Sequence, residues 1–203
     1  MTLSKEVVLE ALRCCRDVYP HKQDYLVSRK IEGHTILAVE GTNETTDWVT
    51  NLKFLIKRDD CHRGFRNNAN RTLASLVIGY EALDPKRKLI LAGHSLGGAT
   101  ATLIAEALWD SGNKNIGLVT AGSPRPGGRR LRRRIKDLEH LRFVHGDDIV
   151  AGTPPWLAGY VHTHPAIKLK DADDTRFDGV ADHNIGDYYD AAVKYYEDKK
   201  VTL

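Results

Sequence analysis

Gly93-His94-Ser95-Leu96-Gly97-Gly98 places a serine between glycines two residues away on either side. A serine hydroxyl is a poor nucleophile unless a base can reach it and the acyl group it attacks can approach it. A sharp turn from strand to helix provides that exposure. It forces the serine backbone into a strained conformation, and glycines at 93 and 97 remove the side chains that would collide there. The same turn aims the Leu96 N–H, at a helix start, towards the place where an oxyanion would form. A serine of this kind needs an acid and a histidine later in the chain, in that order. The acid belongs where the run Leu141-Arg142-Phe143-Val144-His145 ends at Gly146, which leaves Asp147 and Asp148 as alternatives. Among the later histidines, His183 stands just before an apolar helical pattern, a sensible place for a base facing the serine; His162 and His164 compete with it. His-x-His can ligate a metal, but no third ligand stands at suitable spacing, and nothing calls for a cofactor.

The elements that must bring these groups together are readable from hydrophobic spacing. Residues 4–19 and 65–83 repeat apolar positions every three to four residues, as amphipathic helices do, and Pro20 ends the first. Strand-like runs occupy 25–29 and 35–39, with Gly33 between them. Residues 88–92 form a short apolar run of the kind a strand buried on both faces shows. A helix is expected over 96–108, strands over 116–120 and 141–144, and a last helix over 185–196. Buried strands alternating with helices predict an α/β domain with a mostly parallel central sheet flanked by helices. Ligands of such sheets sit beyond the carboxyl ends of the strands, where Ser95 and Asp147/Asp148 fall.

The chain has 203 residues, 41% hydrophobic and 28% charged, which suits one domain over 1–203 with a real core. Cys14, Cys15 and Cys61 are an odd, unspaced set that builds neither a disulfide framework nor a zinc site, so reduced thiols are expected. A net charge of +3 does not argue for nucleic acid. Residues 125–136, however, carry Arg125, Arg129, Arg130, Arg132, Arg133, Arg134 and Lys136 with no acid among them. That run reads either as a solvated helix face or as a contact with anionic lipid. No window is long and apolar enough for a transmembrane helix, and Glu6 interrupts any secretory leader. The expected location is therefore the cytoplasm, with release by a route independent of a signal peptide also compatible.

Over roughly residues 37–189 the sequence resembles the class 3, fungal-type triacylglycerol lipases of the α/β-hydrolase superfamily. Val39-Glu40-Gly41-Thr42 resembles the family's oxyanion strand end, Thr46 to Leu52 its D-W-x-x-D-L segment, and His62-Arg63-Gly64-Phe65 its H-x-G-F. Ala121 to Gly127 resembles F-G-S-P-R-V-G, Asp148 to Pro155 the stretch carrying the triad aspartate, and Asp182-His183 the D-H carrying the triad histidine. The resemblance implies a small α/β-hydrolase fold with a Ser95, Asp148, His183 triad. Thr42 and Leu96 would be the oxyanion donors, and His94 would be packing that points away from the pocket. It also places the family's lid at residues 45–61, making Trp48, Leu52 and Leu55 candidate lid or acyl-groove residues; an amphipathic connection packed on the core is the ordinary alternative. Three departures stand out: Glu40 where the family usually has arginine, Asn51 for the second acid of its motif, and Ala151-Gly152 for its proline and neighbour. The implied activity is hydrolysis of acyl esters of lipids through an acyl-enzyme, without cofactor. A phospholipase A1, a thioesterase or small-ester esterase on the same site, and a non-catalytic binding module are the alternatives.

Overall fold

The structure, a computed structural model, describes residues 3–21, 28–41, 57–58, 60–79, 88–170 and 179–201. The chain opens with α1 (Lys5–Asp17), started by Ser4, whose hydroxyl accepts the Val7 N–H at 3.3 Å. Val7, Val8, Ala11, Leu12, Cys14 and Cys15 form its buried face. A single 3₁₀ turn, Tyr19–His21, follows where Pro20 breaks the helix. Strands β1 (Ser28–Ile31) and β2 (His34–Val39) pair antiparallel across Glu32 and Gly33. These two residues have φ of 45° and 74°, the positive pair that a two-residue hairpin demands. A minimal ladder, β3 (Lys57–Arg58) with β4 (Cys61–His62), leads into α2 (Arg63–Gly79). Then come β5 (Lys88–His94), α3 (Leu96–Asp110), β6 (Ile116–Ala121), the short α4 (Arg129–Arg134) and β7 (Glu139–His145). The chain closes with β8 (Ala166–Leu169) and α5 (Ile185–Val201).

The main sheet runs β1-β2-β5-β6-β7-β8, antiparallel at the first pair and parallel from β2 onward. Its side chains alternate between two cores, as the pleat requires. Leu37, Val39, Leu89 and Leu91 pack with Phe65 and Ala69 of α2 and with Ala101, Leu103 and Ile104 of α3. Ile36, Ala38, Ile90 and Ala92 face the other way, onto Val7, Val8, Ala11 and Leu12 of α1 and onto Tyr188 and Ala192 of α5. Because both faces are covered, residues 89–92 read as an unbroken apolar run rather than as an alternation. Buried Glu106 on α3 ties two further helices to this frame, accepting Arg66 of α2 and Arg134 of α4, both at 2.7 Å.

Several expectations shift. The described first strand runs Ser28–Ile31, past the expected end at 29, and residues 25–27 of that expectation lie outside the described residues. The Glu139–His145 strand is longer than 141–144, and the last helix reaches Val201. The edge strand Ala166–Leu169 was not anticipated: four residues after a proline, half exposed, carry too little periodicity to be seen. The three cysteines are free and buried. Burial pushes the Cys14 thiol up to about 12 and raises Cys15 and Cys61 as well, so all three remain protonated and inert. Among the described residues no helix is long and apolar enough to cross a membrane.

Candidate active site

Ser95 links β5 to α3 with φ 56° and ψ −130°, a region costing about 1–3 kcal/mol that persists only when its surroundings over-determine it. They do so here. The Ser95 N–H donates to the Ala121 carbonyl of β6 at 3.1 Å, and the Ser95 carbonyl accepts Gly98 N–H at 3.0 Å. A Cβ on Gly93 would stand 2.6 Å from the Gly98 nitrogen, and one on Gly98 would stand 2.7 Å from Ser123 Cβ. One is with a main-chain nitrogen and the other with a Cβ that no rotamer moves, so glycine is required for the turn to close. Leu96 is the first residue of α3.

From the end of β7, Asp148 turns inward while Asp147 is exposed. Asp148 Oδ2 accepts His183 Nδ1 at 2.8 Å and the Tyr188 hydroxyl at 2.6 Å, and its Oδ1 accepts the Val150 N–H at 2.8 Å. A carboxylate only accepts, so His183 Nδ1 carries the proton and Nε2 of the neutral ring presents a lone pair. Burial and the nearby Asp148 charge raise the Tyr188 phenol well above its usual range, keeping it a donor. His183 Nε2 and Ser95 Oγ are both buried without a hydrogen-bond partner. Stranding a buried polar atom typically costs about 1–3 kcal/mol, so the two atoms call for an explanation. They sit on residues connected through His94, which precedes Ser95 in the chain and whose ring centroid lies 4.6 Å from that of His183. Gly122, at φ +57°, leaves room for the pair: a Cβ there would meet Asp148 Oδ2 at 2.8 Å and His183 Nδ1 at 2.9 Å.

His94 does more than pack. Its ring lies against that of His183, centroids 4.6 Å apart. Its Nε2 is 3.0 Å from the His183 carbonyl and its Nδ1 is 2.6 Å from the Tyr19 hydroxyl. A carbonyl can only accept, so Nε2 is the protonated nitrogen and Tyr19 donates to Nδ1. Burial, with His183 adjacent, holds His94 well below the usual histidine range, and burial raises Tyr19. Both stay neutral, and the chain of donors has one direction. Neither Tyr19 nor Tyr188 announces itself in the sequence, because each is one tyrosine among eight and its partner lies 75 or 40 residues away.

His162 and His164 are not part of this cluster. His162 Nε2 bonds the Ala151 carbonyl at 2.8 Å, and the His164 carbonyl accepts Arg142 Nε at 3.1 Å. Thr42, Trp48, Leu52 and Leu55 lie outside the described residues. The described end of the expected lid segment is tied down: Asp60 Oδ2 accepts the Arg130 and Leu131 N–H groups at 2.8 and 3.0 Å, at the start of α4. Among the described residues no three His, Cys, Asp or Glu side chains are grouped to hold a metal ion.

A sequence profile of the class 3 lipases matches residues 36–158, which include Ser95 and Asp148. The secreted mono- and diacylglycerol lipase 1 of Fusarium solani is 32% identical over 156 residues, 71% of this chain and 46% of that protein. The chain belongs to the class 3 lipase family. Other lipases agree: that of Rhizomucor miehei is 29% identical over 153 residues, 68% of this chain and 42% of that one. The chain spans about half the length of the curated relatives it matches. In three dimensions the Rhizomucor miehei triacylglyceride lipase superposes with a TM-score of 0.66 at 21% identity, covering 93% of this chain and 94% of that one. That is the α/β-hydrolase fold, here with a six-stranded, mostly parallel sheet among the described residues. His183 lies beyond the profile match, so its place in the cluster rests on geometry alone.

Proposed function

We propose that the chain is a serine carboxylic-ester hydrolase acting on acyl esters of lipids, with Ser95 as nucleophile, His183 as base and then acid, and Asp148 as orienter. The observation that carries the reading is the buried Asp148–His183 hydrogen bond of 2.8 Å, together with His183 Nε2 and Ser95 Oγ, both buried without a partner. His183 Nε2 takes the Ser95 proton as the oxygen attacks the ester carbonyl. The Leu96 N–H, and by family resemblance Thr42, hold the tetrahedral oxyanion. The proton passes from His183 to the leaving alcohol, and a water deprotonated by the same nitrogen then releases the acid. The substrate class follows the family and the names of its members, mono- and diacylglycerol lipases among them. Ile149, 37% exposed beside Asp148, and Val180, 55% exposed three residues before His183, supply an apolar margin suited to an acyl chain.

A fluorophosphonate probe should add to Ser95 in the folded protein. A panel of p-nitrophenyl esters, acylglycerols and phosphatidylcholine then reads the preference, with acylglycerol or phospholipid turnover expected. Folded protein that neither labels nor hydrolyses any of them would reject the assignment in favour of a binding module.

His94 enters this scheme as a positioning residue that fixes the His183 main chain. His94→Phe keeps a ring against His183 and strands the carbonyl. It should lower kcat about ten-fold or more while KM changes little, since leaving a buried acceptor unpaired costs about 1–3 kcal/mol. Steady-state kinetics on a soluble ester check this; an effect confined to KM would remove the role.

A further inference from the structure

The loops that follow β6 and β7 from the proposed active site also wall a second cleft. Its volume is about 290 Å³, and Arg125, Arg132, His162 and His164 line it together with Trp156 and Tyr160. Among the described residues no acidic side chain lines it. Behind it lies Arg142, only 8% exposed, whose Nε donates to the His164 carbonyl. Among the described residues, none of Arg125, Arg132 and Arg142 has a carboxylate within 4.0 Å, whereas Arg66 and Arg134 share Glu106 and Arg29 reaches Glu10 and Asp17. The charges around the cleft oppose one another. Burial and the nearby Arg142 and Arg125 push His162 down to about 3, and burial lowers Arg142 to about 10 with Arg125 adding to the shift. A buried guanidinium without a counter-ion is costly, and an anion placed among these groups removes the cost.

The same wall carries the most exposed large apolar side chains among the described residues, Trp156 at 67% and Leu157 at 79%. They sit on a single 3₁₀ turn, Trp156–Ala158. The underlying loop is held by Arg125, which donates Nη1 to the carbonyls of Gly152 and Pro154 and its N–H to Thr153. An aromatic and a leucine held out beside a cationic cleft is the arrangement of a side that enters a lipid surface, apolar tips in the acyl boundary and cations at the phosphates. Arg129, Arg130 and Arg133 are exposed on α4, which also carries Arg132, extending the positive field along one side. Arg125 is three residues from Gly122, which abuts Asp148 and His183, so the Cα atoms of Arg125 and Gly122 are at most about 11 Å apart. A phosphate in the cleft would belong to a lipid held at the edge of the reaction centre.

We propose that this cleft binds the phosphate of an anionic phospholipid, with Trp156 and Leu157 as the inserted anchor, and so docks the enzyme on a negatively charged membrane. The inference deepens the lipid-ester reading, since it names the surface on which the hydrolase works, but its test reads binding without turnover.

Flotation with vesicles of phosphatidylcholine alone, and with 30 mol% phosphatidylglycerol added, measures it. The protein should partition at least ten-fold more strongly onto the anionic vesicles. Arg132→Gln and Trp156→Ala should each weaken that partition about five-fold or more, near the effect of one interfacial arginine. Arg129→Gln/Arg133→Gln on the same helix should weaken it less than Arg132→Gln alone, and glycerol 3-phosphate should compete. Three results would overturn the proposal: equal binding to both vesicles, partition insensitive to Arg132→Gln, or a loss in the Arg129/Arg133 variant as large as in Arg132→Gln. Glycerol 3-phosphate binding without vesicle binding would assign the cleft to a soluble phosphate ester and overturn the membrane assignment. Fluorophosphonate labelling of Ser95 in the same preparation reports the hydrolase separately, so failure of one reading is not mistaken for failure of the other.

Discussion

Ser95→Ala should abolish hydrolysis of p-nitrophenyl butyrate, with kcat at least about 10⁴-fold below the parent enzyme. The size follows from what is lost. Without the hydroxyl there is no acyl-enzyme, and His183 can only activate water that the site does not position. The fold should not suffer. Alanine retains the Cβ, and the backbone at φ 56° is held by the Ala121 carbonyl and by glycines whose replacement would strike main-chain atoms, none of which involves the side chain. Removing a buried hydroxyl that has no partner should leave the melting midpoint unchanged or raise it. An inactive variant that is as stable as the parent, or more so, would show that the hydroxyl serves chemistry and not the fold. Turnover at the parental rate would reject the mechanism.

Acid should unfold the protein far more readily than a surface of mixed charge suggests. Four of the described histidines are held below the usual range, in each case by burial first, His164 among them. His94 is enclosed by His183, Tyr19 and Tyr188. His140 bonds the hydroxyls of Thr120 and Thr163 and faces His164 and Arg142. His162, pushed to about 3, bonds Ala151 and feels Arg142 and Arg125. Among the described residues none of them gains an anion on folding. Each is neutral in both states above about pH 6.5, and below that the unfolded chain takes up protons that the folded one refuses. Stability is therefore complete above about 6.5 and is lost as pH falls from there towards each folded value. For His162 alone the loss at pH 5 is roughly 2 kcal/mol, and His94 and His140 add to it in the same direction. In phosphate-free buffers the melting midpoint should fall by more than about 5 °C between pH 7.5 and pH 5, and His162→Gln should make the fall shallower. A midpoint level across that interval would contradict the burial of these rings.

The fold class was legible because its signals are local. Residues 88–98 carry a doubly buried strand, a glycine-cleared turn and a helix start in one stretch, and each of those properties needs only neighbours along the chain. Boundaries were less so. The Ala166–Leu169 strand gains its structure from pairing with β7 beside it, not from its own pattern. The two-residue ladder at 57–62 likewise owes its place to Asp60 meeting the first turn of α4, about seventy residues further on.

By itself the sequence determined the alternation of strands and helices, the sharp strand-to-helix turn at Ser95, and the short roster of acids and histidines that could stand near it. Only the tertiary structure decided which of these groups meet. Spacing left Asp147 and Asp148 both open and only the family resemblance pointed to Asp148; in the fold Asp148 alone faces inward, accepting three hydrogen bonds from His183, Tyr188 and Val150. His94 was read as packing, yet it holds the carbonyl of a residue 89 positions away. The basic run allowed two readings, and its cleft exists only because loops from β6 and β7 close on each other. Spacing along a chain encodes local geometry, whereas contacts across a sheet depend on how helices seat its two cores, and no window of sequence contains that sum.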